Sequence, residues 1–353
     1  MNRAVPALDV VSSFALAGAA AAMLVRPRHL SAITRSPIVP VAYGLTRRAA
    51  HSLTRRVVPL RPAPRPRRLA RLIARVAPPP AATQRAARRL HGSAALLAFS
   101  VLADSAVEHY RGSFHNRAMY APLITAALTF GGSLFGLGDR RAARHPLRDT
   151  IYGGAAATGL AGLGFHAYNI LKRPGSLSWL NLFYAAPIGA PMALALAGLL
   201  GRGAEQVRGT PHRQRPSVRG LPAGRALAAL SAAGLAGTAG EAGLLHFRGA
   251  FQDPFMVAPI TVPPVAATLL ATAALFPGRL ISHLARWWLR LTALLGFAGV
   301  GFHAYGISRN MGGWRNWSQN VLNGPPLPAP PSFTGLALAG LAALSLIQGE
   351  HHG

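Results

Sequence analysis

Long apolar segments recur along the chain and are separated by short polar connections. A helix needs about 20 consecutive apolar residues to cross the hydrocarbon core of a bilayer. One isolated segment of this kind precedes residue 26, and eight more follow residue 90. The segments cover residues 5–25, 92–110, 119–138, 150–171, 183–201, 224–247, 255–276, 287–307 and 333–348. We therefore predict an all-α integral membrane protein with nine membrane-spanning helices.

The composition agrees with a chain that is surrounded by lipid. Apolar residues make up 51% of the sequence and charged residues 13%, about half of the charged share of soluble domains. The 37 Lys and Arg residues outnumber the 9 Asp and Glu residues, which argues against a calcium cage or a carboxylate-rich hydrolase site. Cysteine is absent from the sequence, so disulfides, Cys-ligated zinc, iron–sulfur clusters and thiol nucleophiles are excluded.

The arginines predict the orientation of the bundle. Residues 26–90 contain sixteen Arg and no acidic residue, and the connections 139–148, 202–219 and 278–290 are also basic. Basic connections of membrane proteins face the cytoplasm, which predicts a multi-pass protein of the bacterial inner membrane. Only Arg3 precedes the first apolar segment, which favours a retained anchor with an outside N-terminus over a cleaved signal peptide.

The Arg-rich tract 26–90 raises the question of nucleic-acid binding. The tract is rich in proline and contains almost no aromatic residues between its arginines. This composition does not form a recognisable nucleic-acid-reading element. We expect a cytoplasmic linker beside the lipid bilayer and no nucleic-acid partner.

An internal repeat appears when the chain is shifted by 137 residues. The shift places His109 on His246 and His166 on His303, since 246 − 109 and 303 − 166 are both 137. Around the second histidine the two sequences are GLAGLGFHAY and GFAGVGFHAY. Residues 109–122 share seven identical pairs with 246–259: His109/His246, Arg111/Arg248, Gly112/Gly249, Phe114/Phe251, Met119/Met256, Ala121/Ala258 and Pro122/Pro259.

The repeat predicts the domain organisation. Each copy contains four predicted spans, an even number, so both copies enter the membrane in the same direction as parallel repeats. The predicted parts are an anchor (1–25), an Arg/Pro-rich linker (26–90), a first four-helix unit (91–201), a basic linker (202–222), a second four-helix unit (223–348) and a tail (349–353).

The matched histidines are the main candidate site. They lie near the outer ends of the first and third helices of each unit, which are diagonal in an antiparallel four-helix bundle. Two imidazoles at one depth on diagonal helices are the ligand set of a b-type haem. The candidate haem or metal ligands are therefore His109, His166, His246 and His303. Arg111 and Arg248 are candidates for contacts with haem propionates, and Tyr168 and Tyr305 are candidates for hydrogen bonds there.

This site predicts an electron-transfer or anchor subunit of a periplasmic oxidoreductase, with quinone as a further partner. Haem b is the cofactor that the histidines favour, with another metal as the alternative. Soluble catalytic motifs such as a Walker loop, a His-Glu-x-x-His sequence or a nucleophile elbow are absent from the sequence. A non-catalytic subunit or a transporter is therefore favoured over a stand-alone enzyme.

Two acidic residues leave an alternative open. Asp104 aligns with Glu241, and each lies in the first helix of its unit. An acid is costly in hydrocarbon, so both are expected to face the bundle interior, where they can pair with Arg111 and Arg248 or orient a histidine of another helix. With prolines that interrupt the fourth and sixth helices of the bundle, they favour a transporter or channel for protons or small solutes.

A third hypothesis is a scaffold without a cofactor. A polar residue in a membrane helix often only bonds a neighbouring carbonyl, which stabilises packing by about 1 kcal/mol. In this hypothesis the matched histidines and acids hold the helices together and bind nothing.

Overall fold

The structure, a computed structural model, describes residues 81–211 and 214–351. The predicted anchor at 5–25 and most of the predicted linker at 26–90 lie outside the described residues. The α-helices of the described part are α1 (Ala81–Arg111), α2 (Ala121–Gly138), α3 (Pro146–Leu171), α4 (Trp179–Tyr184), α5 (Gly189–Arg208), α6 (Ala223–Arg248), α7 (Ala258–Leu275), α8 (Arg279–Arg309), α9 (Trp317–Asn323) and α10 (Pro331–His351). A small antiparallel hairpin joins β1 (Ser217–Val218) to β2 (Leu221–Pro222), and short 3₁₀ helices cover Arg117–Tyr120, Pro254–Val257 and Gly313–Asn316.

The turn between the first two helices has the same local structure in both halves of the described chain. The Asn116 side chain accepts a hydrogen bond from the N–H of Ala118, and the Asp253 side chain accepts one from the N–H of Phe255. Each side chain therefore caps the short 3₁₀ helix that follows it. α2 and α7 then both carry a proline in their first turn, where the missing N–H leaves no helical hydrogen bond unmade.

The helices are arranged around an inner ring of four. α1 packs against α5 and α10, and α6 packs against the same two helices. α2 and α3 cover α1 and α5 on one side, whereas α7 and α8 cover α6 and α10 on the other. Neighbours follow the order α1–α2–α3–α5 in the first half and α6–α7–α8–α10 in the second. The first and third helices of each half are thus diagonal.

The hydrophobic core lies inside the inner ring. Leu97, Leu200, Leu227 and Leu336 are fully or almost fully buried there. Large apolar side chains are exposed on the outer helices α2, α3, α7 and α8, among them Phe135, Phe165, Leu275 and Phe297. A contiguous apolar exterior of this kind fits a lipid environment better than water.

Five helical segments of the described chain are long and apolar enough to cross a membrane. They are Ala82–Arg111, Arg117–Gly138, Pro254–Leu275, Arg279–Arg309 and Pro331–Gly349. These segments support the predicted all-α, multi-pass membrane protein. The other predicted spans of the bundle fall on α3, α5 and α6, which are long helices but contain more Gly, Ala and polar residues.

Two predicted linkers extend too far into helices. The linker predicted to end at residue 90 is helical from Ala81, because Ala87 and Leu90 are buried in the core. The linker predicted at 202–222 is helical as far as Arg208, because the last turns of α5 are buried.

The proline residues interrupt the chain less than predicted. α7 continues without a break through Pro263 and Pro264. Pro187 precedes α5 and separates it from the short α4, whereas Pro191 lies within the first turn of α5. The prediction that prolines break the sixth helix of the bundle is therefore wrong, and the fourth is shortened at its start rather than broken.

Glycines allow α3 and α5 to approach closely. A Cβ atom at Gly159 would overlap the backbone of Ala195, and a Cβ atom at Gly198 would overlap the backbone of Tyr152. Small residues at such positions let membrane helices pack backbone against backbone.

Candidate functional site

The first matched histidine of each half holds the turn that follows it. The Nδ1 atom of His109, near the end of α1, lies 2.7 Å from the carbonyl oxygen of Met119. The Nδ1 atom of His246, near the end of α6, lies 2.9 Å from the carbonyl oxygen of Met256. A carbonyl oxygen only accepts hydrogen bonds, so Nδ1 carries the proton in both rings and donates it.

The second matched histidine of each half is held in the same way. The Nδ1 atom of His166 on α3 donates to the carbonyl oxygen of Pro187, just before α5. The Nδ1 atom of His303 on α8 lies 2.6 Å from the carbonyl oxygen of Pro326, in the segment before α10. All four matched histidines are half-buried and have an oriented imidazole.

Within each half, the two predicted histidines lie near the same end of diagonal helices. His166 lies within electrostatic range of His109, and His303 lies within range of His246. Because Nδ1 carries the proton, the Nε2 atom of each neutral ring keeps a free lone pair. Among the described residues, no hydrogen bond engages the Nε2 atom of any of the four. A backbone carbonyl on one ring nitrogen and a free lone pair on the other is the usual arrangement of a metal-binding histidine.

The donor set fits a group that takes two protein ligands. The described residues contain no cluster of three or more His, Asp or Glu side chains that could enclose a metal ion. A cage built from protein ligands alone, such as a zinc site, needs at least three of them. Two imidazoles are the number of axial ligands that a b-type haem takes.

The predicted propionate and hydrogen-bonding partners contact other groups of the chain. Arg111 donates to Glu108 at 2.8 Å on the exposed surface. Arg248 donates to the carbonyl of Phe183 at 2.9 Å and thereby ties the second half to α4 of the first. Tyr168 and Tyr305 point outward and have exposed fractions of 63% and 59%. Each tyrosine contacts a cation instead: Lys172 lies over the Tyr168 ring, and Arg309 donates to the Tyr305 hydroxyl.

One of the two matched acids makes a contact between the halves. The Glu241 Oε1 atom accepts a hydrogen bond from the N–H of Gly189 at 2.9 Å, so the second half contacts the start of α5. A Cβ atom at position 189 would overlap the Glu241 carboxylate, which explains the glycine. Asp104 lies within electrostatic range of Glu241 and Glu108. Both acids are half-buried, and Arg111 and Arg248 bond other groups.

A buried ionic network lies in the first half, at the end of its helices opposite to the histidine pair. Glu205 of α5 is fully buried. Its Oε1 atom accepts a hydrogen bond from Arg148 Nε at 2.6 Å, and its Oε2 atom accepts one from the His145 N–H at 2.7 Å. The Nε2 atom of His91 lies 3.4 Å from Oε1 without hydrogen-bond geometry. One carboxylate thus links α1, α3 and α5.

The network continues through two hydroxyl groups. The Tyr152 hydroxyl lies 2.9 Å from His91 Nδ1 and 3.1 Å from the Ser133 hydroxyl, and all three residues are buried. A side chain at Gly136 or Gly201 would overlap the His91 or Tyr152 ring. The chain therefore leaves room for these rings by carrying glycine on the facing helices.

Arginines connect the network to the end of α2. Arg148 Nη2 donates to Asp139 at 2.8 Å, and buried Arg208 donates to the carbonyls of Gly136 and Asp139. Partial burial favours the protonated form of Asp139, but hydrogen bonds from the Arg141 N–H and the Arg148 guanidinium outweigh it and lower the pKa of Asp139. The Asp139 carboxylate therefore remains ionised at neutral pH.

This network belongs to the first half alone. At the shift of 137, or 142 for the fourth helix, five of its members correspond to apolar residues, whereas Arg208 corresponds to Glu350. His91, Ser133, Arg148, Tyr152 and Glu205 correspond to Ala228, Leu270, Ala285, Leu289 and Ile347, all of which are buried. The sequence interpretation missed the network because it searched for residues that both copies share. Glu205, one of nine acidic residues in the chain, was the available signal.

Comparisons with protein-family models, with curated proteins and with solved structures give no match for this chain. The functional proposal therefore rests on the geometry of the histidine pairs and of the acid pair.

Proposed function

We propose that the protein is a bacterial inner-membrane subunit that carries electrons through two b-type haems. It would contain an N-terminal anchor with an outside N-terminus and two fused four-helix units in parallel orientation. Each unit would hold one haem, between His109 and His166 or between His246 and His303. One observation carries the proposal: each half places two histidines near the same end of diagonal helices, each with a carbonyl-bound Nδ1 and a free Nε2.

The chain itself would fix the orientation and tautomer of the histidine ligands. The carbonyls of Met119 and Pro187 fix the imidazole orientation and tautomer in the first unit, and those of Met256 and Pro326 do so in the second. Such carbonyl contacts also raise the basicity of the ligating nitrogen. A bound haem supplies reversible one-electron transfer.

The position of the pairs supports exchange at the outer face. His109 and His246 lie in the last turn of their helices, and His166 and His303 lie in the last two turns of theirs. The basic connections lie at the opposite end of the bundle, which the positive-inside rule assigns to the cytoplasm. A periplasmic oxidoreductase and a quinone are therefore the proposed partners, and the chain itself acts as a non-catalytic subunit.

The haem proposal predicts a spectrum that depends on each pair separately. The full-length protein, purified in detergent, should give a reduced-minus-oxidised b-type haem spectrum. His166→Ala and His303→Ala should each remove about half of the signal, because each loses one of two axial ligands. His166→Gln keeps a donor for the Pro187 carbonyl without an imidazole, so it should lose the same signal while retaining stability.

His115→Ala is the matched control. His115 lies in the same turn region and bonds the Gly112 carbonyl, but it has no histidine counterpart in the second half. Its loss should leave the spectrum unchanged. A colourless, metal-free preparation with normal stability would refute the proposal.

A second function is favoured by the acid pair. Asp104 and Glu241 lie within electrostatic range of each other on two helices of the inner ring, and acids within membrane helices often serve proton or ion pathways. Because α7 is continuous, its prolines no longer favour a transporter or channel. Of the transport functions considered, the acid pair therefore supports proton uptake.

Proteoliposomes with an internal pH dye test this second function. The Asp104→Asn/Glu241→Gln protein should lose proton uptake almost completely, because neither amide exchanges a proton. Glu108→Gln, which changes an exposed acid one turn away from Asp104, should retain it. Uptake that survives the double replacement would contradict a pathway through these acids.

A further inference from the structure

The turn after the first helix of each half has the same strained backbone. Ser113 and Phe114 come shortly after α1 and have φ angles of +56° and +45°, and Ala250 and Phe251 come shortly after α6 and have φ angles of +58° and +46°. These angles lie in the left-handed region, which residues other than glycine adopt at a free-energy cost. Glycine is the usual residue where a helix ends in this conformation. Both halves therefore carry a costly conformation at the same position.

The strained turn brings a phenylalanine back to the matched histidine. The Phe114 N–H donates to the backbone carbonyl of His109 at 3.0 Å, and the Phe251 N–H donates to that of His246 at 3.1 Å. A hydrogen bond between residues five positions apart folds the chain over the last turn of the helix. Each phenylalanine thus lies next to the histidine that precedes it by five residues.

The two rings of each turn have a defined geometry. The ring centroids of His109 and Phe114 are 6.2 Å apart, and the ring planes are inclined by 80°. The corresponding values for His246 and Phe251 are 6.3 Å and 79°. A nearly perpendicular arrangement is favourable for aromatic pairs. All four residues are half-buried, so neighbouring atoms restrict the movement of the rings.

The hydrogen bond of the histidine is a second restraint on the same imidazole. The Nδ1 atom of His109 is bonded to the carbonyl of Met119, but this bond alone lets the ring rotate about the hydrogen-bond axis. A perpendicular neighbouring ring limits that rotation. Met119 is itself held in the turn, because its terminal methyl group would lie only 3.1 Å from a Cβ atom at Gly112. The turn thus explains why both copies keep a histidine, a glycine, a phenylalanine and a methionine at these positions.

We propose that Phe114 and Phe251 are positioning residues that set the plane of the His109 and His246 imidazoles. Strained residues persist where the surrounding structure over-determines them, and they cluster at functional sites. Here the strain accompanies the return of a phenylalanine ring to a histidine in both halves. The use of these rings to orient haem ligands rests on the proposed function. The orientation of the imidazoles does not depend on it.

Nitrogen NMR of the full-length protein in detergent, with isotope-labelled histidine and without added haem, tests this orientation. Wild type should give a single Nδ1-protonated signal for His109, which is assigned by its loss in His109→Gln. Phe114→Gly removes the ring and also relieves the left-handed backbone, so this variant should remain folded. Its His109 signal should become an average of the two tautomers. An unchanged His109 signal in folded Phe114→Gly would overturn the proposal.

Three further variants separate the ring from the turn. Ser113→Gly relieves the neighbouring left-handed residue but keeps the phenylalanine, and it should leave the His109 signal unchanged. Phe114→Tyr keeps a ring at this position and should retain the wild-type signal. Phe251→Gly should change the His246 signal in the same way, which gives an independent case in the second half. An equal loss in Ser113→Gly would show that the turn alone orients the histidine, and it would overturn the proposal.

Haem binding tests the part of the inference that rests on the proposed function. Ferric protoporphyrin IX is titrated into His303→Ala, in which only the first half keeps both matched histidines. Adding Phe114→Gly should weaken binding by about tenfold, as for the loss of a residue that orients a metal ligand. Phe114→Tyr should retain the parent affinity. Equal affinities of Phe114→Gly and its parent would refute the role in ligand positioning. If the parent does not bind the probe, the haem proposal fails, and the NMR signals still decide whether the phenylalanines orient the histidines.

Discussion

Replacing Glu205 by alanine is expected to lower the free energy of unfolding by about 3–5 kcal/mol, the usual cost of removing one partner from a buried ion pair. The variant leaves the Arg148 guanidinium with Asp139 as its remaining acid, and it leaves the His145 N–H without its acceptor. Arg208, also fully buried, loses a neighbouring negative charge. Reversible denaturant unfolding in detergent micelles, followed by circular dichroism, measures the change.

Two controls separate burial from charge alone. Glu108→Ala breaks an exposed pair with Arg111 and should cost at most about 1 kcal/mol. Glu205→Ile/Arg148→Ala installs the residues that the second half carries at these positions, Ile347 and Ala285, and should recover part of the lost stability because no buried charge remains unpaired. An unfolding free energy within about 1 kcal/mol of wild type for Glu205→Ala would show that the network does not stabilise the fold.

Gly159→Leu is expected to separate α3 from α5 and to cost about 3 kcal/mol or more, at the upper end of overpacking effects. The new side chain would overlap the backbone of Ala195, which cannot move without displacing all of α5. Because α5 carries Glu205, the variant should also perturb the buried ionic network around this residue. Thermal melting in detergent and the loss of near-ultraviolet circular dichroism report both effects.

Gly154→Leu is the matched control on the same helix. A Cβ atom at Gly154 meets no atom within 4 Å, and the residue is exposed. The substitution should change the unfolding free energy by at most about 0.5 kcal/mol. Similar melting temperatures for the two variants would show that α3 and α5 are not held by this close approach.

Most helices could be predicted from the spacing of apolar segments, because a membrane-length run of apolar residues leaves the backbone few alternatives to a helix. The residues at which the helices begin and end could not be predicted in this way. The continuation of α1 back to Ala81 and of α5 to Arg208 depends on which neighbours bury those turns, which only the assembled bundle decides. The short helices α4 and α9 lie in connections without membrane-length periodicity and were therefore missed.

The histidine pairs could be predicted because both copies keep them at the same spacing. Their tautomer could not, since the acceptor carbonyls of Pro187 and Pro326 come from segments whose path the sequence does not give. The outward orientation of Tyr168 and Tyr305 also could not be predicted from the sequence repeat. The repeat gives the position of a residue along a helix but not the neighbours that cover it. The buried ionic network around Glu205 could not be predicted from the repeat, because its residues are ones at which the two copies differ.

The order in which the network's members are synthesised has a consequence for biogenesis. Arg148 and His91 leave the ribosome well before Glu205, which belongs to the last long helix of the first half. A truncated chain that lacks α5 therefore leaves the Arg148 guanidinium without its buried counter-ion and with Asp139 as the remaining acid. The first half completes its buried ionic network only when its last long helix is in place.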